Sequence, residues 1–493
     1  MPADGYSTPR VLLFCDRAPD AHGLGGTQLH AAALLRGSGP GASVWAAYPL
    51  GDRLVVAPAV GHSVEMQLGA SQVEPLAPWP ALERALEASL LGLAIDVLMI
   101  EAPGIAPRAL AAAIDATGVR AAVTLHDHAL VCENHELLEL GERYCDLPAD
   151  RGRCDRCLAQ TRRRAAGYLE RWRTEQARLL ERCDAVVAPS DSVLATVARI
   201  HPSIAARARR IDWGVVAPAA RCDPQTAFER PLRVAVVGVL AKVKGAERLP
   251  ELIRAASALD VEWHLFGATE GRSLAAIRRA GARVVVHGAY PRSRLAERIV
   301  RARCQIGLLP SIAPESFSLA LSEIVACGLP VIASDLGALR GRVSADELGW
   351  TFDPWQPAEL ARLLRRLVAE PALIEGRMRR LAARPLRDER AMLEEHVALW
   401  RELGARGPRS VPDAETVSAA RRAWADAAGR PRHAARNALA RWLGAIRSSE
   451  WYRDLPLRGL LPEAWRARFE ATILRARLGS GPQPTTSPRK KAD

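Results

Sequence analysis

Two successive alternations of apolar runs and helical patterns limit the folds open to this chain more than any other feature. In the first series the runs are Arg10–Phe14, Ser43–Ala46, Ile95–Glu101, Ala121–Leu125 and Asp184–Ala188, with Ala/Leu-rich segments such as Leu29–Leu35 and Pro107–Ala116 between them. In the second they are Arg233–Val237, Val261–Phe266, Arg283–Val286, Cys304–Leu309 and Pro330–Ala333. Helical patterns at Ala246–Ser257, Ser293–Arg301, Ser318–Ala326 and Pro357–Ala369 separate the members of this second series. Strands that alternate with helices predict parallel β/α units. The polar, proline-containing stretch Ala217–Arg230 lies between the series and reads as a linker. A chain of 493 residues also exceeds one ordinary core.

The expectation is therefore an α/β chain with two Rossmann-like, doubly wound parallel-sheet domains, at 8–216 and 231–386. A helix over 387–404 would return to the first domain. A basic helical extension over 405–478 and a disordered tail over 479–493 complete the division. Ligands of open parallel sheets bind at the C-terminal ends of the strands, so two such sheets facing each other share one central cleft.

Charge narrows the partners. Residues 405–493 hold 18 basic against 8 acidic side chains, a surplus of +10, which leaves +3 of the net +13 for the first 404 residues. A nearly neutral body argues against nucleic acid as the partner. The extension mixes arginines with Trp424, Trp442, Trp451, Tyr452 and Trp465. Such a segment can pack on the body or lie at the inner face of the cytoplasmic membrane. No run of about 18 apolar residues and no secretion signal is visible, so a cytoplasmic setting is expected, with the nine cysteines as thiols or metal ligands.

The candidate chemistry collects at strand ends. Glu315 and Glu323 stand eight residues apart, the first just after a strand and the second inside the following helix. Eight helical residues turn through about 80° net and rise about 12 Å, so both carboxylates can face one elongated ligand. Backbone N–H groups at that helix N-terminus favour a phosphate. The bland alternative is a solvated Glu315 and an acidic residue near a helix start. Only four of the 68 basic residues are lysine, and two of them are Lys242 and Lys244, where a compact ammonium is chosen over a guanidinium. Gly23-Leu24-Gly25-Gly26 opens a helix after the first strand, and His126-Asp127-His128 ends the strand Ala121–Leu125, directed into the expected cleft.

The stretch PESFSLALSEIVACGLPVIASDLG resembles the donor-site signature of the retaining glycosyltransferases of family 4, which have the GT-B fold. Val237–Gly245 resembles the same family's diphosphate loop, with Lys244 on its lysine position and Val239 where an arginine is usual. Gly25 and Gly26 resemble its N-terminal glycine loop, and His126 its His-Asp position. The resemblance implies donor contacts from Gly25, Gly26, Gly238, Lys242, Lys244, Gly245, Glu315, Phe317, Ser318, Leu319 and Glu323. It implies catalytic roles for His126, Lys244 and Glu315, with a nucleoside-diphosphate sugar as co-substrate and no metal in catalysis. His287 either borders the nucleobase or is a structural loop residue. The acceptor would be a glycan or a lipid-linked acceptor, in polysaccharide or cell-surface glycan assembly. A nucleotide-sugar epimerase and a non-catalytic sugar-binding protein can share the fold and stay open.

Cys132, Cys145, Cys154 and Cys157 fall within 26 residues, the last pair as Cys-Asp-Arg-Cys. Four thiolates with a CxxC pair fit a tetrahedral structural zinc, and unligated loop thiols are the alternative.

Overall fold

The structure, a computed structural model, describes residues 8–429 apart from 20–24, 38, 40, 70–73, 224–229, 270 and 282. Gly23, Leu24, Trp442, Trp451, Tyr452, Trp465 and the tail from 479 lie outside the described residues.

The front lobe begins with β1 (Arg10–Phe14), α1 (Gly26–Arg36), β2 (Ser43–Leu50), β3 (Arg53–Pro58) and β4 (Val64–Gln67). It continues through α2 (Pro80–Gly92), β5 (Val97–Ile100), α3 (Pro107–Thr117) and β6 (Arg120–Thr124). A hairpin, β7 (Leu138–Glu139) with β8 (Arg143–Tyr144), precedes α4 (Arg151–Arg162) and α5 (Tyr168–Glu181). The lobe closes with β9 (Ala185–Ala188), α6 (Asp191–Ala198) and β10 (Ala208–Arg210). The sheet order is β10-β9-β6-β5-β1-β2-β3-β4. Strands from β10 to β2 are parallel, as the alternation requires. The β2–β3–β4 end is antiparallel, a departure from an all-parallel sheet. Its cause is local: Leu50 pairs with Arg53 across a two-residue Gly51-Asp52 turn, with Gly51 in the left-handed region at φ 62°.

The rear lobe runs β11 (Leu232–Val237), α7 (Leu249–Ala255), β12 (Val261–Phe266), α8 (Gly271–Ala280), β13 (Val284–Gly288) and α9 (Leu295–Arg301). Then come β14 (Ile306–Leu309), α10 (Leu319–Ala326), β15 (Val331–Ser334), α11 (Gly337–Ala345), β16 (Gly349–Phe352), α12 (Pro357–Ala369) and α13 (Ala372–Ala383). Its six strands are all parallel, in the order β13-β12-β11-β14-β15-β16. β14 and β15 are buried along their whole length because helices cover both faces.

Two helices then leave the rear lobe. α14 (Glu389–Ala405) is capped by Asp388, whose carboxylate accepts from the Ala391 N–H at 2.8 Å. Its Met392, Trp400 and Leu403 enter the front-lobe core beside Val11, Leu13 and Met99. α15 (Ala414–Gly429) packs on α2, where Trp424 covers Gly92 so closely that a Cβ there would lie 2.5 Å from it. Within the described residues the extension therefore packs on the body. No described helix is long and apolar enough to cross a membrane.

Candidate active site between the lobes

The loop Pro310–Ser318, between β14 and α10, forms the rear-lobe face of the cleft. It is zipped to the short Lys242–Lys244 turn, since the Ile312 N–H donates to the Val243 carbonyl at 3.0 Å. Gly245 adopts φ 83° and lies against the Pro310 carbonyl, where any Cβ would collide. This packing brings Lys244 Nζ to 2.8 Å from Glu315 Oε2. The Glu315 side chain is 8% exposed and accepts a hydrogen bond from the Ser311 hydroxyl, whereas Lys244 is 45% exposed. Burial pushes the Glu315 carboxyl up, but Lys244 and the hydroxyls of Ser311 and Ser318 outweigh it and hold it below the usual carboxylate range. The site thus presents an accessible ammonium held beside a buried carboxylate.

Ser318 sits at φ 72°, a left-handed conformation costing about 1–3 kcal/mol for a residue with a side chain. Its Oγ accepts from the Leu321 N–H at 3.4 Å and caps α10. Arg342 donates to the carbonyls of Phe317 (2.7 Å) and Ser318 (3.1 Å) and to the Ser322 hydroxyl (2.8 Å). Burial lowers the Arg342 pKa to about 10. From the other side, Gly337 (φ 52°) lies under Pro314 and Glu315, and a Cβ there would come 2.8 Å from their backbone atoms. Gly337→Ala is expected to destabilise the chain by about 1–3 kcal/mol and to misplace Glu315. Denaturant unfolding checks the first effect, and an unchanged midpoint would contradict it.

The same loop touches the front lobe. The Ser316 hydroxyl donates to the His126 carbonyl, and Ser190 Oγ donates to the Ser316 carbonyl at 2.6 Å. Phe317 is 1% exposed, buried beneath Trp213 with ring centroids 5.2 Å apart and under the Arg342 guanidinium at 3.8 Å. Its ring is an inter-lobe plug and is not presented to a ligand, which differs from the donor contact implied by resemblance. An aromatic ring placed against an apolar partner lobe is buried by the hydrophobic effect. Gly26, at the start of α1, brings the glycine turn to the start of α10: a Cβ there would meet Leu319 at 3.9 Å and Trp213 at 3.4 Å. Gly25 is the extended cap of α1.

His126 is placed differently from expectation. Its ring does not open into the cleft but turns inward to Glu101, with the side chain only 3% exposed. Glu101, at the end of β5, also accepts from the Thr124 hydroxyl at 3.1 Å and lies 3.4 Å from His30 Nδ1. A buried carboxylate must be matched by donors, and His126 supplies the nearest. His30, Glu101 and His126 offer ligand atoms within 4.8 Å of one another, the one such group among the described residues. His30 also stacks on Trp213 at 5.0 Å and lies 5.2 Å from the His396 ring of α14. The His126 backbone is engaged as well, its N–H donating to the Thr124 carbonyl at 3.1 Å and its carbonyl accepting from the Ser316 hydroxyl.

Other expected positions divide. Gly238 has φ 112°, and a Cβ there would meet Ala320 Cβ at 3.9 Å, so the end of β11 lies beside the first turn of α10. Lys242 points elsewhere, pairing with exposed Glu247 at 3.7 Å. Glu323 is held by Arg292, and burial raises its pKa against that pairing. His287 stacks on Phe266 at 4.1 Å and bonds to His264 at 3.0 Å, as a packed residue of the β12–β13 end. The four cysteines line one cavity beside β7–β8. Sequence reasoning missed Glu101, His30, Trp213, Ser316, Arg292 and Arg342. Only Glu101 left a usable signal, an acid ending an otherwise apolar strand.

Residues 223–383 match the model of the family described as glycosyl transferases group 1. A D-inositol 3-phosphate glycosyltransferase of Thermomonospora curvata is 42% identical over 78 residues, 16% of this chain and 17% of the relative. One of Xylanimonas cellulosilytica is 35% identical over 150 residues, 29% of this chain and 32% of the relative. The chain thus spans a third or less of the length of these curated relatives. Among solved structures, sucrose-phosphate synthase of Thermosynechococcus elongatus superposes with a TM-score of 0.59 at 20% identity, covering 81% of this chain and all of its own. HepE of Anabaena, in complex with UDP and glucose, gives 0.51 at 16% identity over 80% of this chain and 99% of its own. The chain therefore has the GT-B fold, and its rear lobe matches the glycosyl transferases group 1.

Proposed function

We propose that the chain is a retaining glycosyltransferase, moving a sugar from a nucleoside-diphosphate sugar to an acceptor hydroxyl of a glycan or lipid-linked acceptor. The observation that carries this reading is the Lys244–Glu315 pair, 2.8 Å apart beside the first turn of α10. Departure of the diphosphate builds negative charge, and a fixed ammonium with helix-terminus N–H groups stabilises it without reorganisation. The N–H groups of Leu319 and Ala320 have no acceptor within their own helix and are available for this task. Glu315, kept ionised, accepts hydrogen bonds from sugar hydroxyls. The front lobe meets the start of α10 through Gly26 and would close over the sugar from that side. Proteins of this fold that hold UDP and glucose support a nucleotide sugar as the ligand.

Binding of the correct nucleotide sugar at 100 times its dissociation constant is expected to add about 2.7 kcal/mol of stability. A thermal-unfolding screen of nucleotide sugars reads this directly, and a panel without any shift contradicts the reading. With the donor so identified, product analysis follows. A glycoside with the donor's anomeric configuration is expected. An epimerised sugar nucleotide formed from donor alone would make the chain an epimerase instead.

A further inference from the structure

We propose that Cys132, Cys145, Cys154 and Cys157 bind one zinc ion as thiolates, and that this ion holds the β7–β8 hairpin as a brace against the Glu315 loop of the opposite lobe. The metal assignment stands independently of the transferase reading, because it rests on a different set of residues.

The topology delivers the four cysteines to one place. Cys132 lies in the turn after β6, its N–H donating to the His128 carbonyl at 3.1 Å. Cys145 directly follows β8 and bonds back to the Leu137 carbonyl at 2.9 Å. Cys154 and Cys157 stand three residues apart on α4 and so share a helix face. All four line a single cavity of about 30 Å³, beside apolar side chains such as Leu137 and Leu158 and the polar Asn134, Glu139, Arg153 and Arg173. That is room for an ion, since about 10–15 Å³ on this measure admits one water.

Backbone N–H groups also point at the sulfurs. The Asn134 N–H donates to Cys132 Sγ at 3.4 Å, and the Leu140 N–H to Cys157 Sγ at 3.3 Å. The Leu147 N–H bonds Cys145. Backbone donors aimed at sulfur are the outer layer that a metal-bound thiolate uses. Zinc with four thiolates carries a net negative charge, and the Arg173 guanidinium lies near Cys132 and Cys154 to offset it. No three of the four sulfurs lie within 4.8 Å of one another, so binding draws them inward around the cavity.

The hairpin rests on the front-lobe core through Leu137, Tyr144 and Leu147, and a zinc ion would tie α4 to it. Strands of two residues each do not hold a hairpin together in water. Apolar support near α4 is limited to a small cluster of Leu158, Tyr168, Leu169 and Trp172. Yet the hairpin contacts the opposite lobe at a sensitive point. Leu138 packs on Ile312 and Ala313, between Ser311 and Glu315. Arg143 lies over the Trp355 ring at 4.8 Å. Whatever fixes the hairpin therefore also positions the loop that carries the carboxylate.

The test uses the full chain, purified without a metal-binding tag from zinc-supplemented cells. Elemental analysis is expected to find about one zinc per chain, and cobalt replacement to give the visible bands and strong thiolate charge-transfer absorption of a tetrahedral sulfur site. Cys154→Ser with Cys157→Ser should abolish both. Should that variant fail to fold, Cys132→Ser alone should surrender zinc to a chelator at least tenfold faster than the parent chain. Chelation should open residues 132–165 to proteolysis, and Leu138→Asp should keep zinc while loosening the same contact with the rear lobe. Four outcomes would overturn the proposal: a chain purified without zinc, a Cys154–Cys157 disulfide, zinc retained in the double variant, or zinc lost on His30→Gln. The last would move the metal to the Glu101 cluster.

Discussion

Replacing Lys244 with methionine is expected to lower kcat/KM for sugar transfer by about 10²–10³-fold, with some loss of folding stability because buried Glu315 loses its partner. The magnitude is that of removing one preorganised group that stabilises charge on a leaving atom, about 2.7–4 kcal/mol of barrier. Methionine keeps the aliphatic length but not the charge. Because the Lys244 side chain is 45% exposed, its loss opens no cavity in the core. Glu315→Gln probes the other half of the pair. It keeps the shape and the Ser311 contact, removes the negative charge, and should cost a comparable factor through poorer holding of the sugar hydroxyls. The two changes made together should cost less than the product of the single effects, since the groups touch. Steady-state kinetics on the donor found by the thermal screen measures all three, and a Lys244→Met enzyme within threefold of the parent would remove the lysine from the mechanism.

Glu101→Ala is expected to destabilise the folded chain by about 1–3 kcal/mol for each buried hydrogen-bond donor it leaves unsatisfied. Glu101 is 1% exposed, and its removal would leave His126 and His30 buried without their acid. The same cluster predicts acid sensitivity. Burial pushes the Glu101 carboxyl up, yet hydrogen bonds from His126 and His30 bring it far below its ordinary value. Its contribution is therefore complete above the ordinary carboxylate range and is lost as pH falls beneath it. Burial lowers His30, and lowers His396 to about 3. Each is neutral when folded and takes up a proton on unfolding, so stability is retained above the ordinary histidine value of 6.5 and drains away below it. For His396 that loss runs from about pH 6.5 down to about 3, with a slope approaching 1.4 kcal/mol per pH unit. His396→Phe should flatten this part of the profile. Denaturant midpoints at several pH values measure it, and an unchanged slope would mean that His396 is already protonated in the fold.

The parts of the architecture written in local periodicity were legible before any coordinates. β1 and β12 coincide with the expected runs Arg10–Phe14 and Val261–Phe266, and α12 with Pro357–Ala369, because a buried parallel strand or amphipathic helix leaves its period in contiguous residues. Lys244 and Glu315 were legible for a different reason: the scarcity of lysine and the strand-loop-helix order marked them, and the resemblance of their segments to the family's diphosphate loop and donor-site signature implied their roles. What stayed hidden depends on contacts distant in sequence. Glu101 is explained only by His126 and His30, and Phe317 only by Trp213 of the other lobe. Lys242 and Lys244 are two residues apart, and only the turn that separates their directions sends one to Glu247 and the other to Glu315. The antiparallel β3–β4 extension was encoded in Gly51-Asp52, a hairpin signal overshadowed by the β/α alternation around it.

The central claim is that the rear lobe grips an activated sugar through its diphosphate at Lys244 and the start of α10. A crystal structure of the chain with the nucleoside diphosphate of its stabilising donor tests this most directly. The expected result places phosphate oxygens within hydrogen-bond distance of Lys244 Nζ and of N–H groups in the first turn of α10, with the Lys244–Glu315 contact lengthened or shared. A diphosphate bound away from both, with the 2.8 Å pair intact, would contradict the account.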